Sequence, residues 1–431
     1  MIEVKKFIQK IEKSKFLQNS SWIIAEKICQ MLLTLFVNRI VAQYLQPENY
    51  GTLNYGTSIV TFFVSICTLG IDSIIVKEIL QHKDKQGEIM GTSIVLRMIS
   101  SILSVILIII VVSILKPGNK EILIITVVQS IALFFETINI IQFWYQSRLK
   151  SKNVVIIAFI AYSIVAIYKV GLVLLRKGLV WFAFANSLNA ILIAIFTFSL
   201  YKIQKGPKLS FKKDLIKPLL SQSYHFILSG LMVAIYGQTD KMMIGSMCGN
   251  MAEVGYYSVA TTITNLWSFI PSAIITSMRP IIIEAKEKDE TLYLKRLKQL
   301  YAIVLWINFL YAIGVTIFAN LIINILYGAE YLPAKVSLLL AVWSGGFSYV
   351  GVARDTWFVL EGYQKYSKWI CLMGAVTNVI LNLIFIPIMG INGAALATTI
   401  TQIMTGLIST LLFKDTRVNT KYVLQGMLFK F

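Results

Sequence analysis

Histidine occurs twice in this 431-residue chain, cysteine four times and proline eight times. Each scarcity removes a class of chemistry. The cysteines, Cys29, Cys67, Cys248 and Cys371, stand far apart, without paired spacing. They imply neither a metal cluster nor a disulfide framework. There is no HExxH stretch and no glycine-rich phosphate loop, so the chain does not itself hydrolyse ATP. No long loop carrying acids or a nucleophile interrupts the apolar runs. Charged residues make up only 14% of the chain, and acids are the scarcer sign: 21 Asp and Glu against 40 Lys and Arg, a net charge of +19. In a soluble protein that excess would suggest nucleic acid, but no stacking or base-reading module is present. The chain is therefore expected to be no enzyme, to need no cofactor or metal, and to bind no nucleic acid.

What is plentiful is apolar. Hydrophobic residues make up 57% of the chain, and its mean hydropathy is +0.72. That composition belongs in a membrane. Twelve runs, at 20–45, 54–79, 92–115, 122–146, 154–175, 180–201, 219–247, 255–278, 300–321, 336–360, 369–389 and 393–413, are each long enough to cross a core of about 30 Å as a helix. The basic residues between them alternate. The N-terminal arm carries Lys5, Lys6, Lys10, Lys13 and Lys15, and every second gap is basic, most densely Lys202, Lys205, Lys208, Lys212, Lys213 and Lys217. The intervening gaps hold only Lys116, Lys120, Arg176, Lys177 and Lys335. Short Lys/Arg-rich loops stay cytoplasmic, so both termini are expected inside. The same charges attract anionic headgroups. The apolar run after Lys15 is too long for a signal peptide and lacks a small-residue cleavage site, so the first span is expected to remain as an anchor.

The basic linker after the sixth run contains Gly206, Pro207 and Pro218, which break helices. The predicted organisation is a cytoplasmic arm (1–19), an N-lobe of helices one to six (20–201), a basic linker (202–217), a C-lobe of helices seven to twelve (218–413) and a cytoplasmic tail (414–431). An internal repeat supports two lobes. GTLNYGTSIV from Gly51 matches GYYSVATTIT from Gly255; PENYG at Pro47 matches MAEVG at Met251; NSSW at Asn19 matches SYHF at Ser223. The offset is the same in all three. Both lobes start in the same direction, so the repeat is parallel, with an axis along the membrane normal. Such a pair can enclose a cavity that opens alternately to either side. Gly, Ala and Thr in GAALATTITQIMTG from Gly393 let helices approach closely, which serves a moving seam or ordinary packing.

Charge inside a bilayer costs about 2.5 kcal/mol or more per residue at the centre, and persists where it meets water, a partner or a substrate. The intramembrane set is Glu26, Lys27 and Arg39 on the first helix; Asp72; Arg97; Glu136 with Asn139 and Gln142; Lys169; His225, Gln238, Asp240 and Lys241; and Arg354 with Asp355. Helices eight, nine, eleven and twelve carry no charge in their middles. The charged helices are expected to line a shared lumen, mixed in charge and mildly cationic, suited to phosphate or pyrophosphate. Lys27 and Lys169 can instead snorkel to headgroups, Arg97 can bind lipid, and Lys241 can pair with Asp240 or Asp72. Arg354 and Asp355 point about 100° apart on a helix, so at least one needs another partner. His225 and Met242, Met243 and Met247 read as packing residues. The candidate substrate-binding set is Arg39, Arg97, Lys241 and Arg354. The candidate ion-coupling acids are Asp240 first, then Glu136 and Asp72, because without ATP, export needs a gradient or pull by a later reaction.

Four stretches carry a resemblance. RIVAQYLQPENYG from Arg39, QFWYQSRLKSKNV from Gln142, DKMMIGSMCGNMAEVGYYSVA from Asp240 and TNVILNLIFIPIMGINGAALATTI from Thr377 resemble, in register, bacterial polysaccharide and O-antigen flippases. Those are the Wzx-like polysaccharide transporters of the multidrug/oligosaccharidyl-lipid/polysaccharide exporter superfamily. The resemblance implies a V-shaped, MATE-like, all-α membrane fold of twelve helices in the bacterial cytoplasmic membrane. It implies transfer of an undecaprenyl-pyrophosphate-linked oligosaccharide to the outer leaflet for O-antigen or capsule synthesis, alongside a polysaccharide polymerase and chain-length proteins, with proton or sodium as a coupling ion. Competing readings are a MATE-like drug/cation antiporter, which would favour a more acidic pocket; a lipid II flippase, which usually has more than twelve helices; and a non-transport scaffold of a glycan assembly complex.

Overall fold

A computed structural model describes the backbone from Lys15 and side chains from Ile28 to the C-terminus. The N-terminal lysines before Lys15, and the side chains of Glu26 and Lys27, lie outside the described residues. Among these the chain is helical, without strands. The α-helices are α1 (Lys15–Cys67), α2 (Asp72–Gln81), α3 (Gln86–Leu115), α4 (Lys120–Ser130), α5 (Ala132–Glu136), α6 (Ile140–Ser147), α7 (Ser151–Leu174), α8 (Leu179–Ile203), α9 (Ile216–Met247), α10 (Met251–Leu266), α11 (Phe269–Lys288), α12 (Glu290–Leu326), α13 (Lys335–Ala341), α14 (Ser344–Glu361), α15 (Ser367–Met389), α16 (Ile391–Ile403) and α17 (Arg417–Met427). Among the described residues ten helices, several merging adjacent elements, are long and apolar enough to cross a membrane; the bent pair Ala329–Ala341 and Ser344–Glu361 makes eleven. The chain is a multi-pass membrane protein. The expected count of twelve is not reached this way, because the first two expected runs form one 54-residue element, Ile28–Gln81. At 1.5 Å per residue that element is roughly 80 Å long, more than twice the hydrocarbon core. It is broken at Gln46, where φ is 61° and ψ 165°. Pro47 follows, with no N–H to lose at the first position of a new helical turn.

The spans are inverted relative to a soluble helix. On α3 the outward stripe is Ile99, Ile102, Leu103, Ile106, Ile110 and Ile114, all exposed, while Ser93, Arg97, Ser100, Ser101 and Ser104 face inward and are buried. Lipid solvates the aliphatic stripe, and small hydroxyl residues permit close approach on the other. Ser101 donates to the Leu133 carbonyl at 3.0 Å and Ser100 to the Ile66 carbonyl at 3.2 Å. Such interhelical bonds average about 0.6 kcal/mol in membranes.

Contacts divide the chain into two compact units. One comprises residues up to Leu45 with Gly56–Leu231; the other comprises Gln46–Tyr55 with Met232–Phe431. This differs from the boundary read at the basic linker. The linker docks within the first unit: Ser210 N–H donates to the Gly87 carbonyl at 3.2 Å, Lys212 N–H to Thr92 Oγ1 at 2.9 Å, and the Lys212 ammonium pairs with Glu88 at 3.4 Å. Gly87 and Gly91, one turn apart, make the groove, since a Cβ on either would overlap linker backbone. In the second unit, the two glycines matched by the repeat meet. A Cβ on Gly51 would overlap the Met251 carbonyl oxygen, and one on Gly255 would overlap the Pro47 carbonyl oxygen. The contact is reciprocal because both sequence pairs share one offset.

Candidate functional site

Three of the charged residues singled out in the sequence meet inside the first unit. A cavity of about 250 Å³ is lined by Asp72, Arg97, Ser101, Glu136, Thr137, Asn139 and Gln142, with Thr68, Cys67, Val64 and Leu133. Asp72 opens α2 directly after a turn in which Leu69 and Gly70 both have positive φ. Arg97 projects from the inward stripe of α3 and is 3% exposed. Its Nη2 forms an ion pair with Asp72 and donates to the Thr68 carbonyl at 3.3 Å, while Nε is buried without a partner. The span holding Glu136 tightens to a 3-10 turn at Thr137–Asn139, where Thr137 Oγ1 donates back to the Phe134 carbonyl at 2.7 Å. Side-chain back-bonding of this kind bends helices. Glu136, Asn139 and Gln142 have no hydrogen bond or ion pair to a described residue. One base thus faces two carboxyl groups and two unengaged amides. The cavity is mixed in charge, as expected, and rich in open hydrogen-bonding capacity, but its lining has two acids to one base instead of a cationic excess.

Arg354 occupies a second cavity, of about 130 Å³, within the second unit, with Tyr236, Ser348, Asp355, Cys371, Gln402 and Thr405 among its lining residues. It is not paired with Asp355. Its Nη1 donates to the Thr405 carbonyl at 2.5 Å and to Ser409 Oγ at 3.4 Å, and its guanidinium carbon lies 5.0 Å from the Phe358 ring centre. Thr405 lies in a π turn at Met404–Ile408, where the i to i−4 ladder is broken, and its carbonyl also accepts from Ser409 Oγ at 2.8 Å. Arg354 Nε also lacks a partner.

Asp240 lies elsewhere in the second unit, buried on α9. Its carboxylate accepts from Tyr257 Oη at 2.5 Å, Thr398 Oγ1 at 2.5 Å and Asn382 Nδ2 at 2.6 Å. Lys241 beside it is partly buried and forms no ion pair or hydrogen bond with a described residue. Arg39 is exposed on α1 and lines neither cavity. The seven residues singled out therefore occupy several environments. Tyr257, Asn382 and Thr398 were missed, and they sit on helices that read as lacking charge. The one usable signal was Asn378 and Asn382, four residues apart in an apolar run, where Asn382 Nδ2 donates to Asn378 Oδ1 at 3.2 Å. Among the described residues no group of three His, Cys, Asp or Glu could hold a metal ion. The oxygens around Asp240, with Asn382 Oδ1 lacking a donor, are of the kind that suits a hard cation.

Residues 16–286, more than half the chain, match the model of the family described as polysaccharide biosynthesis protein. The chain is 28% identical over 192 residues to a putative O-antigen transporter of Salmonella typhimurium, covering 43% of this chain and 44% of that protein. It is 24% identical over 235 residues to a probable low-salt glycan biosynthesis flippase, Agl15, of Haloferax volcanii, covering 53% and 48%. The chain thus spans about half the length of these curated relatives. Its fold is similar to that of the lipid II flippase MurJ, with a TM-score of 0.74 at 15% identity over 96% of this chain and 90% of that one. It is also similar to an inward-facing MATE family multidrug transporter, with a TM-score of 0.65 at 17% identity over 92% and 96%. A multi-pass helical chain with a MurJ- and MATE-like fold, matched over most of its first 286 residues, belongs to the polysaccharide biosynthesis protein family.

Proposed function

We propose that this protein is a flippase that moves an undecaprenyl-pyrophosphate-linked oligosaccharide across the cytoplasmic membrane for O-antigen or capsule synthesis. The two limbs of Ile28–Gln81 count as separate crossings in this reading, giving twelve spans with both termini cytoplasmic. The observation that carries it is a pair of buried arginines, Arg97 and Arg354, each facing a polar cavity with an unpartnered Nε. In a chain with this family membership, guanidinium groups held ready inside an apolar bundle suit the oxygens of a pyrophosphate. Arg39 and Lys241 complete the cationic set. Transfer proceeds by alternating access, driven by an ion at Asp240, with Glu136 and Asp72 as the second acidic centre. Occupation of the Asp240 oxygens by a proton or sodium ion would displace one of its three donors and bias the packing of α10, α15 and α16, from which they come.

The test is transfer of a labelled undecaprenyl-pyrophosphate-linked oligosaccharide in vesicles containing the purified protein, with and without imposed proton or sodium gradients. Arg97→Ala and Arg354→Ala should abolish transfer while leaving protein level near normal, and Arg97→Lys should retain part of it. Full transfer by both Ala variants refutes the substrate assignment. Equal rates and end points under all gradients refute coupling. Gradient-driven uptake of an organic cation without glycan transfer would identify an antiporter instead.

A further inference from the structure

The last helix, α17, is separate from both cavities. It lies across α12, held by Asn419 Nδ2 donating to Tyr301 Oη at 2.7 Å and by Trp306 Nε1 donating to the Met427 carbonyl at 3.1 Å. Thr416, Asn419, Thr420, Val423 and Gly426 form its buried side. The opposite side presents Arg417, Val418, Lys421, Leu424 and Leu428, all exposed. Exposed Lys414 precedes the helix, and exposed Phe429, Lys430 and Phe431 follow it. The outward side carries no acid; nearby Asp415 is engaged by Tyr366 Oη at 2.5 Å. An outward face that mixes basic and apolar side chains suits neither water nor hydrocarbon alone.

The depth of α17 follows from the helix beneath it. On α12, Lys298 reaches over the Tyr422 ring, 5.9 Å from its centre, and its backbone backs Gly426, while Trp306 bonds the Met427 carbonyl, so the C-terminal half of α17 crosses α12 between these two residues. Lys298 to Trp306 spans roughly 12 Å along a helix. Beyond Trp306, Leu310 and Ile317 are exposed apolar residues of a spanning helix. Lysine marks the headgroup layer and tryptophan the headgroup–acyl boundary. We propose that the outward face of α17, with Lys414 and Lys430, lies in the headgroup layer and binds the phosphates of anionic phospholipids, with Leu424, Leu428, Phe429 and Phe431 inserted just below. Each basic residue near a charged surface enriches anionic lipid about fivefold.

The test uses the full chain with its four cysteines replaced and a fluorophore on Gln425→Cys. The protein is reconstituted in phosphatidylcholine vesicles doped with either bromolabelled phosphatidylglycerol or bromolabelled phosphatidylcholine. The glycerol lipid should quench at a several-fold lower mole fraction. Lys414→Gln, Arg417→Gln, Lys421→Gln and Lys430→Gln combined should remove that preference while quenching by both lipids persists, since the buried side of the helix is untouched. Equal quenching by the two lipids in the parent protein, absence of quenching by either, or a preference retained in the quadruple variant would each overturn the assignment.

Discussion

Arg97 sits between two carboxyl groups, and this arrangement makes a sharp prediction about non-additivity. The perturbation is Asp72→Ala, Glu136→Gln and their combination. A buried guanidinium stripped of all counter-charge costs about 3–5 kcal/mol. Arg97 is 3% exposed, so water does little to relieve that cost. Asp72 removal leaves the Glu136 carboxyl lining the same cavity. Glu136 is not ion-paired with Arg97, and an ionised carboxylate roughly 5–6 Å from a guanidinium recovers about 3 kcal/mol at an effective dielectric of about 20. Asp72→Ala alone should therefore cost about 1–2 kcal/mol, and Glu136→Gln alone less, because the Asp72 pair survives. The double variant should cost about 3–5 kcal/mol, some 2 kcal/mol beyond the sum. The assay is thermal unfolding of the purified protein in lipid nanodiscs, where 1 kcal/mol corresponds to about 2–4 °C for units of this size. A double variant within about 0.5 kcal/mol of the summed singles would refute the idea that these acids jointly balance Arg97.

For topology, a single cysteine at Asn250 should react with an impermeant reagent from outside and one at Lys208 only from inside; labelling of both from one side sinks the orientation. Gly255→Val should lower folded yield and cost at least about 1–3 kcal/mol, because its side chain meets the Pro47 backbone, which cannot move aside as a rotamer can; wild-type stability would disprove that packing. Asn382→Leu should weaken any sodium- or pH-dependence of transfer without changing folded yield greatly, while Asp240→Asn should abolish it; gradient-driven transfer surviving Asp240→Asn would move the ion site elsewhere. At the α12 N-terminus, the Thr291 hydroxyl and backbone N–H hold the Asp289 carboxyl below its usual 3.8. A depressed folded value means that the cap's stabilisation is complete above that pH and is lost as pH falls below it, so Asp289→Asn should flatten acid unfolding monitored by circular dichroism in that range.

The apolar runs, their alternating basic gaps and the repeat offset were legible because hydropathy and charge are properties of the linear chain. The bilayer selects on them before any helix meets another. Arg97, Asp72 and Glu136 were legible as well, since buried charge is costly and rare enough to stand out. The same reasoning could not supply Asp240 with its partners. Asn382 and Thr398 lie 142 and 158 residues away, and neutral amides and hydroxyls are cheap enough in apolar helices that even the Asn378–Asn382 spacing does not point to Asp240. Nor could it show that Arg354 would turn to the Thr405 carbonyl rather than to Asp355. That carbonyl lies in a π turn 51 residues further along the chain, and only helix packing brings it to Arg354. The linker at 202–217 reads as a boundary from its Gly, Pro and Lys content. Tertiary structure instead seats it in the groove at Gly87 and Gly91 and assigns Gln46–Tyr55 to the second unit. Composition reports how flexible a segment is, whereas close backbone approach decides where it rests.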